Sequence, residues 1–492
     1  MLTFSKVGGK VTGYDYDLLV IGSGPGGQKA AIQAGKLGKQ VALIDLNPCV
    51  GGVCLHDGTI PSKSFREAIL HLTGYRVRER YGRAYRVKQN IVMSDLVGWS
   101  EGIIHDIEQT LRAQLLRNDV ELICGFGNFV DKHHVRIRNN KKEEIVSAHK
   151  IVLATGTSAR RPDGFDFDDQ VILDSNGILH MEQIPRSMTV VGGGVIGCEY
   201  GSMFATLGTK VTIVEARPEI LGFVDRELGE AFSFHLREQR ASLLCNEKVV
   251  GCKRSPDGRA VTYLESGKRI VSDVLLVSAG RVGNVDKLAL DKVGLTADGR
   301  GVIEVNQHYQ TKVKNIYAVG DLAGYPALAS TSMEQGRMAA LHAFSIDDPS
   351  PEQPFPFGIF SIPEISMVGK TEQQLSQEKV PYETGICRFD EVERGKILGV
   401  SKGMLKILFN RHDLEILGIH ILGEGAIEMI HIGQSIMAMH GKLSHLVHMI
   451  FNYPTLAQAY KIAALDGMNK IIAVQGLPAD EVILNGSKRK NG

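Results

Sequence analysis

The sequence predicts an α/β fold with two doubly wound units, followed by a third domain of mixed α+β type. A strand–glycine turn–helix–strand pattern begins at residue 16, and the same pattern recurs 170 residues later. The third domain is predicted from the order of its patterns. Strand-like alternation comes first, as over 404–408, and helical periodicity comes last, as over 425–439.

Length and composition are those of a globular protein with several domains. The chain has 492 residues, of which 43% are apolar and 23% charged, and its net charge is +1. The charge balance indicates neither a nucleic-acid partner nor an anionic membrane surface. No apolar run reaches the roughly 18 residues that would predict a transmembrane helix.

The cysteines and the N-terminus predict the compartment. The first 15 residues lack the apolar segment of a secretory signal, and the seven cysteines are scattered and odd in number. This usage argues against a disulfide framework and favours a reducing, cytoplasmic location. No cysteine or histidine grouping has zinc spacing, so no metal site is predicted.

The first pattern has the layout of a dinucleotide site. A strand, a glycine-rich turn and a helix occupy 16–37, and a second strand over 40–44 ends in Asp45. The spaced glycines are Gly22, Gly24 and Gly27. The first permits a tight turn, the second lets backbone N–H groups approach a pyrophosphate, and the third lets helix and strand pack closely. Asp45 can accept hydrogen bonds from ribose hydroxyls.

The second pattern repeats these positions. Its acid is Glu215, and each acid lies 18 residues after the third glycine of its copy. The matching glycines are Gly192, Gly194 and Gly197. Agreement at this many positions favours two separate dinucleotide-binding units over the alternative of two glycine-rich turns without a ligand.

A third segment, over 51–63, reads Gly-Gly-Val-Cys-Leu-His-Asp-Gly-Thr-Ile-Pro-Ser-Lys. It resembles the active-site segment of the flavoprotein disulfide reductases of class I, the family of lipoamide dehydrogenase and glutathione reductase. That family reads Gly-Gly-x-Cys-x-x-x-x-Cys-x-Pro-x-Lys, and its two cysteines form a redox-active disulfide beside the flavin. Here Cys54 keeps the first position but Thr59 replaces the second, and a threonine cannot form a disulfide.

Two further departures from the family pattern lie near the C-terminus. The family carries a His-Pro whose histidine serves the dithiol, and a glutamate that orients the histidine. Tyr453 and Gln458 stand at those places. A tyrosine is a poor general base near neutrality, and a glutamine lacks the orienting charge. The resemblance is closest to the soluble pyridine nucleotide transhydrogenases, which share the segment from Gly58 to Lys63 and an Asn-Tyr-Pro-Thr sequence.

The resemblance implies a domain plan and an assembly. An FAD-binding domain would comprise 1–156 and 283–348, with an NAD(P)-binding domain over 157–282 inserted between them. A dimerisation domain would follow over 354–473, and a tail over 474–492. These expectations give two Rossmann-like dinucleotide-binding domains and a homodimer or higher homo-oligomer. On the residues alone, the methionine-rich helix over 425–439 could be either core or subunit interface.

The resemblance also implies which residues contact the cofactors. A second FAD fingerprint, Ile-Tyr-Ala-Val-Gly-Asp, ends at Asp321, although an ordinary turn aspartate is the alternative. The implied FAD contacts outside the first glycine pattern are Gly52, Cys54, Thr59, Lys63, Thr155, Gly156, Asp321 and Ala329. For the nicotinamide nucleotide they are the second glycine pattern with Glu215, Arg217 and Gly280.

Two residues are implied in catalysis. In the family, the lysine at the position of Lys63 lies near the flavin and pairs with a glutamate at the position of Glu199. Such a lysine favours negative charge on the reduced flavin. The alternatives are a solvated surface lysine and an acid in the first helical turn that complements the helix dipole.

The predicted function is FAD-dependent hydride transfer between NADPH and NAD+, in ping-pong fashion and without a redox-active disulfide. Glu215 suits the ribose of NAD, and Arg217 can reach the 2′-phosphate of NADP. Alternatively, Glu215 makes this an NAD enzyme and Arg217 is solvated. Two other functions stay open: an NAD(P)H:quinone oxidoreductase, and a non-catalytic nucleotide-sensing flavoprotein. Cys54 would be an inert thiol or a weak redox sensor.

Overall fold

The computed structural model describes residues 13–82, 85–139, 142–347, 354–400 and 402–475. Its strands are β1 Tyr16–Ile21, β2 Val41–Asp45, β3 Val120–Cys124, β4 Phe126–Phe129, β5 His134–Arg138, β6 Glu143–Leu153, β7 Thr157–Ala159, β8 Ile172–Leu173, β9 Ser187–Val191, β10 Lys210–Glu215, β11 Ser242–Cys245, β12 Val249–Arg254, β13 Ala260–Leu264, β14 Arg269–Ser272, β15 Val274–Val277, β16 Arg281–Gly283, β17 Ile316–Ala318, β18 Phe357–Ile359, β19 Ile365–Gly369, β20 Tyr382–Arg388, β21 Met404–Asn410 and β22 Ile416–Leu422.

The helices are α1 Pro25–Lys36, α2 Gly52–His56, α3 Thr59–Leu72, α4 Arg78–Tyr81, α5 Met93–Leu116, α6 Val195–Leu207, α7 Arg226–Glu238, α8 Ala329–Ala343, α9 Glu372–Gln377, α10 Glu393–Leu398, α11 Ala426–Ala438, α12 Leu443–His448 and α13 Gln458–Gln475. Short 3-10 turns are Tyr75–Val77, Gly177–His180, Leu290–Val293, Gly320–Ala323 and Phe389–Glu391. Among the described residues, none of these helices has the length and apolarity that crossing a bilayer requires.

The chain divides into two compact units. Unit 1 consists of Met1–Phe65, Ser94–Arg160 and Ala279–Pro351. Unit 2 consists of Arg66–Met93, Arg161–Ser278 and Glu352–Gly492. The domain boundaries stay predictions, and most of the predicted tail, from residue 476 onward, lies outside the described residues.

Unit 1 is built on a seven-stranded sheet. Strands β3, β2, β1 and β6 run parallel in that order, β17 also pairs with β6 in parallel, and β5 and β4 extend the sheet by antiparallel pairing. Successive residues of β1 enter two different cores, because strand side chains alternate between the faces of a sheet. Leu18 and Val20 pack in one core with residues of α1 and α8, while Leu19 and Ile21 pack in the other.

Besides a three-stranded antiparallel sheet of β12, β13 and β14, unit 2 contains a parallel sheet and an antiparallel sheet of five strands each. The parallel sheet has the order β11, β10, β9, β15, β8 and carries α6 and α7 in its connections. The antiparallel sheet has the order β18, β19, β22, β21, β20 and shares a core with α11, α12 and α13. Met429, Ile430 and Ile436 of α11 belong to that core, so this side of the predicted methionine-rich helix is core.

The elements predicted from periodicity are present. The first strand–helix–strand is observed as β1, α1 and β2, and the patterns over 404–408 and 425–439 correspond to β21 and α11. The sequence predicts the first helix over 28–37, and the observed helix α1 begins three residues earlier, at Pro25. Proline fits the first turn because its missing N–H would have no helical partner there.

Candidate active site

In the glycine turn of unit 1, two glycines are required by close backbone packing and one faces open space. Gly22 has φ of +106°, and a Cβ on it would overlap the carbonyl oxygen of Ala154. A Cβ on Gly27 would likewise overlap the carbonyl oxygen of Gly22. Gly24 is different, because a Cβ there would meet nothing within 4 Å. The first and third glycines are therefore required by the fold, and the second faces open space that a pyrophosphate could enter.

Uncapped helix starts surround this open space. Helix α1 begins after Gly24 with no side-chain cap and no acidic residue in its first turn, and α8 begins at Ala329 in the same way. The two helices pack through Gly26, whose Cβ would lie 3.1 Å from the Ser332 carbonyl oxygen. A Cβ on Gly52 would lie 3.0 Å from the Cα of Gly24. Free N–H groups at such helix starts bind anions.

Asp45 lies beside the glycine turn, and its carboxylate can accept further hydrogen bonds. Its Oδ2 accepts a hydrogen bond from the Ser23 backbone N–H at 2.8 Å, and its Oδ1 accepts one from Asn47 N–H at 3.0 Å. A carboxylate offers about four lone-pair sites, so ribose hydroxyls can still donate to it. Asp45 therefore lies at the end of β2 beside the glycine turn, and its contact with a ribose stays a prediction.

The Cys54 segment brings several predicted residues together. Thr59 hydrogen-bonds to Cys54, and the charges of Lys63 and Asp321 act on the same thiol. Burial raises the Cys54 pKa above its usual value, although the Thr59 hydrogen bond and the Lys63 charge oppose this. Cys54 is a free cysteine. The site thus holds one neutral thiol beside a hydroxyl, which cannot perform dithiol chemistry.

Asp321 lies in a polar network that sequence reasoning missed in part. Thr157 donates a short hydrogen bond to the Asp321 carboxylate, and Arg281 Nε lies 3.9 Å from it. Arg281 also donates to Thr157 Oγ1 at 2.7 Å. Thr157 could have been predicted as a site residue because it directly follows Thr155 and Gly156, which are predicted FAD contacts. Thr155 itself donates to the Asn284 carbonyl at 2.9 Å.

Unit 2 repeats the glycine geometry. Gly192 has φ of +101°, and a Cβ on Gly197 would overlap the Gly192 carbonyl oxygen. A Cβ on Gly194 would meet nothing within 4 Å, and α6 begins there without a side-chain cap or a first-turn acid. Ser278, which sequence reasoning missed, donates from Oγ to the Val191 carbonyl at 2.7 Å. The second predicted dinucleotide site therefore has the same shape as the first.

Glu215 and Arg217 form an ion pair. Arg217 donates from Nε to Glu215 Oε1 and from Nη2 to Oε2, both at 2.9 Å. Glu215 Oε2 also accepts from Gly193 N–H at 2.7 Å, as Asp45 does from Ser23. Burial alone would raise the Glu215 pKa, but the hydrogen bonds from Arg217 and Gly193 hold it below its usual value. Glu215 is buried, whereas the Arg217 side chain is 55% exposed and can turn.

The two predicted catalytic residues occupy separate units. Glu199 is buried in α6 at 5% exposure, and its Oε1 accepts from the Phe360 backbone N–H at 2.8 Å. It is not in the first turn of α6, so the helix-dipole alternative does not describe it. Lys63 lies in α3 of unit 1 and is partly buried rather than fully solvated. Their pairing stays a prediction.

The remaining predicted residues are placed as follows. Gly280 belongs to unit 1, has φ of +96° and accepts a hydrogen bond from Arg160 N–H at 3.0 Å. Its proximity to a nicotinamide nucleotide stays a prediction. Tyr453 is 68% exposed, and Gln458 begins α13. Neither offers the base and carboxylate of a thiol mechanism.

Each unit thus has a parallel sheet, a glycine turn with open space at its second glycine, an uncapped helix and an acid after the second strand. Together with the Cys54 segment, these features define an oxidoreductase that binds two dinucleotides. The chain belongs to the pyridine nucleotide-disulphide oxidoreductase family, whose model matches residues 16–336. The dimerisation domain of this family matches residues 355–464. Membership implies FAD and a pyridine nucleotide, and the pyrophosphate of each could enter the open space at Gly24 or Gly194.

Curated relatives extend over nearly the whole chain. A protein of Mycobacterium bovis (strain BCG / Pasteur 1173P2), named soluble pyridine nucleotide transhydrogenase, is 50% identical over 94% of this chain and 98% of its own length. A protein of the same name from Photobacterium profundum is 43% identical over 93% of this chain and 98% of its own length.

Solved structures share the fold. LpdA of Mycobacterium tuberculosis superimposes with a TM-score of 0.84 at 24% identity, over 91% of this chain and 99% of that protein. The flavoprotein disulfide reductase RclA of Escherichia coli, as its Cu(II) complex, gives a TM-score of 0.83 at 23% identity, over 92% and 99%. At these identities the likeness concerns the fold alone.

Proposed function

We propose that this protein transfers hydride between NADPH and NAD+, with FAD as its cofactor and without a redox-active disulfide. The observation that carries the proposal is Thr59 beside a neutral Cys54, in a chain whose two glycine turns each leave open space at the second glycine. Nicotinamide chemistry is retained while thiol chemistry is lost. The names of the relatives from Mycobacterium bovis and Photobacterium profundum support the same activity.

The residues of unit 1 bind and orient the flavin. The start of α1 offers N–H groups to the pyrophosphate, and Asp45 accepts from the adenosine ribose. FAD held by these residues would supply the chemistry for taking up hydride from one nicotinamide and passing it to another. Lys63 contributes a positive charge near Cys54, which would stabilise negative charge on the reduced cofactor. Glu199 would keep that lysine charged and placed.

The residues of unit 2 admit both nicotinamide nucleotides. Glu215 can accept from the ribose diol of NAD, and Arg217 can leave Glu215 to bind the 2′-phosphate of NADP. One binding site would then serve both substrates in turn. We propose a homodimer in the cytoplasm, because a dimerisation domain matches the chain and all seven cysteines are free.

An acceptor assay tests the proposal. FAD-loaded protein is given NADPH with a thio analogue of NAD+, and parallel reactions contain a quinone or a disulfide such as lipoamide. We expect reduction of the NAD+ analogue and none of the disulfide. Quinone reduction without transfer to the analogue would instead establish a quinone oxidoreductase. Flavin that neither NADPH nor NADH reduces would establish a non-catalytic role.

A further inference from the structure

A cavity of about 690 Å³ lies within unit 2, at the end of α6 opposite to Gly194. Its wall includes Thr206 and Gly208 at the C-terminal end of α6, about 20 Å along the helix from the glycine turn. Side chains from three distant parts of the sequence meet there, represented by Tyr75, Gln239 and Val400. Cavities of this size are typical of small-molecule sites.

The charge of the cavity favours an anion. Its cationic lining residues are Arg66, Arg78, Arg86, Arg240 and Lys402. The two lining carboxylates already have partners, because Glu238 pairs with Lys402 and Glu424 with Arg76, each at 2.7 Å. Within the described part of the chain, neither Arg86 nor Arg240 makes an ion pair.

Helix ends offset part of this charge. The C-terminal ends of α3, α6 and α7 lie at or near the cavity wall, and each contributes about half a negative charge. Arg66 is also paired, with Glu364 at 3.0 Å and with Glu67 at 2.6 Å, so Arg86 and Arg240 supply the positive charge that is available to a ligand. Arg86 and Arg240 together carry two positive charges, which exceed the roughly 1.5 negative charges that three helix ends contribute.

His235 supplies an independent indication of a ligand. It is 8% exposed and lines the cavity. Its Nε2 lies 3.0 Å from the Tyr75 hydroxyl and 2.7 Å from the Gln239 amide nitrogen, both of which can donate to it. The ring proton then resides on Nδ1, which has no hydrogen-bond partner among the described residues.

The surroundings of His235 Nδ1 leave it without an acceptor. The Glu238 carboxylate lies 4.0 Å away, beyond hydrogen-bond range, and is bound to Lys402. Burial and the Lys402 charge lower the His235 pKa to about 4, so the ring is neutral near pH 7. A buried N–H donor without an acceptor is unfavourable. Nδ1 has less than 1 Å² of accessible surface, so a ligand oxygen would satisfy it after a side chain at the cavity wall shifts.

We propose that this cavity binds a small phosphorylated metabolite, with Arg86 and Arg240 holding the phosphate and His235 Nδ1 donating to one of its oxygens. Guanidinium groups match phosphate oxygens in pairs and favour phosphate over a point-like anion. Leu70, Ile362 and Val400 provide apolar wall for the rest of the molecule. The cavity has no glycine turn, so it is a different kind of site from the dinucleotide sites and does not depend on hydride transfer.

Calorimetric titration with inorganic pyrophosphate tests the proposal. The FAD-loaded protein is kept with saturating NAD+, so that both dinucleotide sites are filled, and sodium chloride holds the ionic strength constant. We expect saturable binding that Arg86→Gln and Arg240→Gln each weaken about tenfold or more, the usual effect of losing a charge-assisted hydrogen bond. Arg269→Gln, at an exposed arginine of β14, removes the same charge elsewhere in unit 2 and should leave binding unchanged.

Further variants and probes test the proposed phosphate site. His235→Phe keeps the ring but removes the donor, and should weaken binding in protein whose circular dichroism is unchanged. Pyrophosphate should raise the thermal midpoint of the wild type more than that of the two arginine variants. Equal binding by wild type, Arg86→Gln and Arg240→Gln would overturn the proposal. So would the absence of saturable binding at millimolar pyrophosphate, or binding only to vesicles that contain phosphatidic acid.

Discussion

At the residue scale, the neutral Cys54 predicts the spectrum of the reduced protein. Burial raises its pKa, and Thr59 supplies a hydroxyl where a second thiol would be needed. The thiolate is therefore scarce near pH 7 and grows only as the pH rises past the ordinary thiol range. We expect anaerobic reduction by NADPH at neutral pH to give no thiolate-to-flavin charge-transfer band. We also expect Cys54→Ala to keep most of the hydride-transfer rate. A stable band that Cys54→Ser abolishes would contradict this.

Lys63 is the residue whose loss should slow the chemistry most. Removing one preorganised charge aimed at a developing anion typically costs about 10²–10³ in rate. Lys63→Ala should slow flavin reduction by NADPH and by NADH to that extent in stopped-flow measurements. Glu199→Gln should slow it less, because the lysine charge remains. Lys36→Ala, at the exposed end of α1, is the matched control. Wild-type rates in both active-site variants would remove the pair from the mechanism.

Arg217 should discriminate between the two nucleotides. It makes a bidentate pair with Glu215 but is half exposed, so it can turn to a 2′-phosphate. Arg217→Ala should raise KM for NADPH about tenfold or more, since a charge-assisted contact contributes roughly 1.5–3 kcal/mol. KM for NADH should barely change, because NADH lacks the phosphate. If KM changes equally for both nucleotides, or for neither, Arg217 does not explain the binding of both NAD and NADP.

At the scale of the element, the turn before α6 allows a matched pair of glycine variants. A Cβ on Gly194 would meet no protein atom within 4 Å, whereas one on Gly197 would overlap the Gly192 carbonyl oxygen. Gly194→Ala should therefore preserve the thermal midpoint and raise KM for both nucleotides, because the methyl group enters the ligand space. Gly197→Ala should instead lower the thermal midpoint. Unchanged nucleotide binding by Gly194→Ala would show that the open space is not the binding site.

Local elements were predictable from the sequence because local patterns determine them. Within each copy of the strand–helix–strand pattern, the periodicity, the glycines and the terminal acid lie within about 30 residues of one another. Contacts across the sequence were not predictable in this way. Arg281 meets Thr157 across 124 positions, and no periodicity relates the two residues. The same is true of Gly280, because contacts between distant parts of the chain, and not its sequence motif, determine that it belongs to unit 1.

At the scale of the whole molecule, a buried charge cluster joins the parts of unit 2. Lys406 in β21 is fully buried and pairs with Asp225, the N-cap of α7, at 2.9 Å. It also contacts Glu227 at 3.0 Å and makes a short contact with Glu372 in α9. In the sequence Lys406 is only a lysine within a strand pattern. Its partner lies 181 positions away and could not be identified from that pattern. Burial alone would raise the Asp225 pKa, but the interactions with His420 and then with Lys406 hold it below its usual value.

Removing Lys406 should therefore destabilise unit 2 strongly. Lys406→Met keeps the apolar stem but leaves Asp225 as an uncompensated buried charge, which typically costs about 3–5 kcal/mol. Lys402→Met, at a half-exposed ion pair with Glu238, is the matched control and should cost less than about 1 kcal/mol. Thermal unfolding followed by circular dichroism compares the two variants.

A double variant distinguishes the buried charge from lost packing. Adding Asp225→Asn to Lys406→Met removes the orphaned carboxylate, so part of the lost stability should return. The pH dependence supplies a second measure. Asp225 has a lowered pKa, so its contribution to wild-type stability is present above the unfolded value of about 3.8 and disappears as the pH falls through the folded value. In Lys406→Met this acid-side loss should shrink, because the carboxylate has lost the cation that stabilised its charged form. An unchanged acid profile, or no recovery in the double variant, would show that Lys406 stabilises the unit by packing alone.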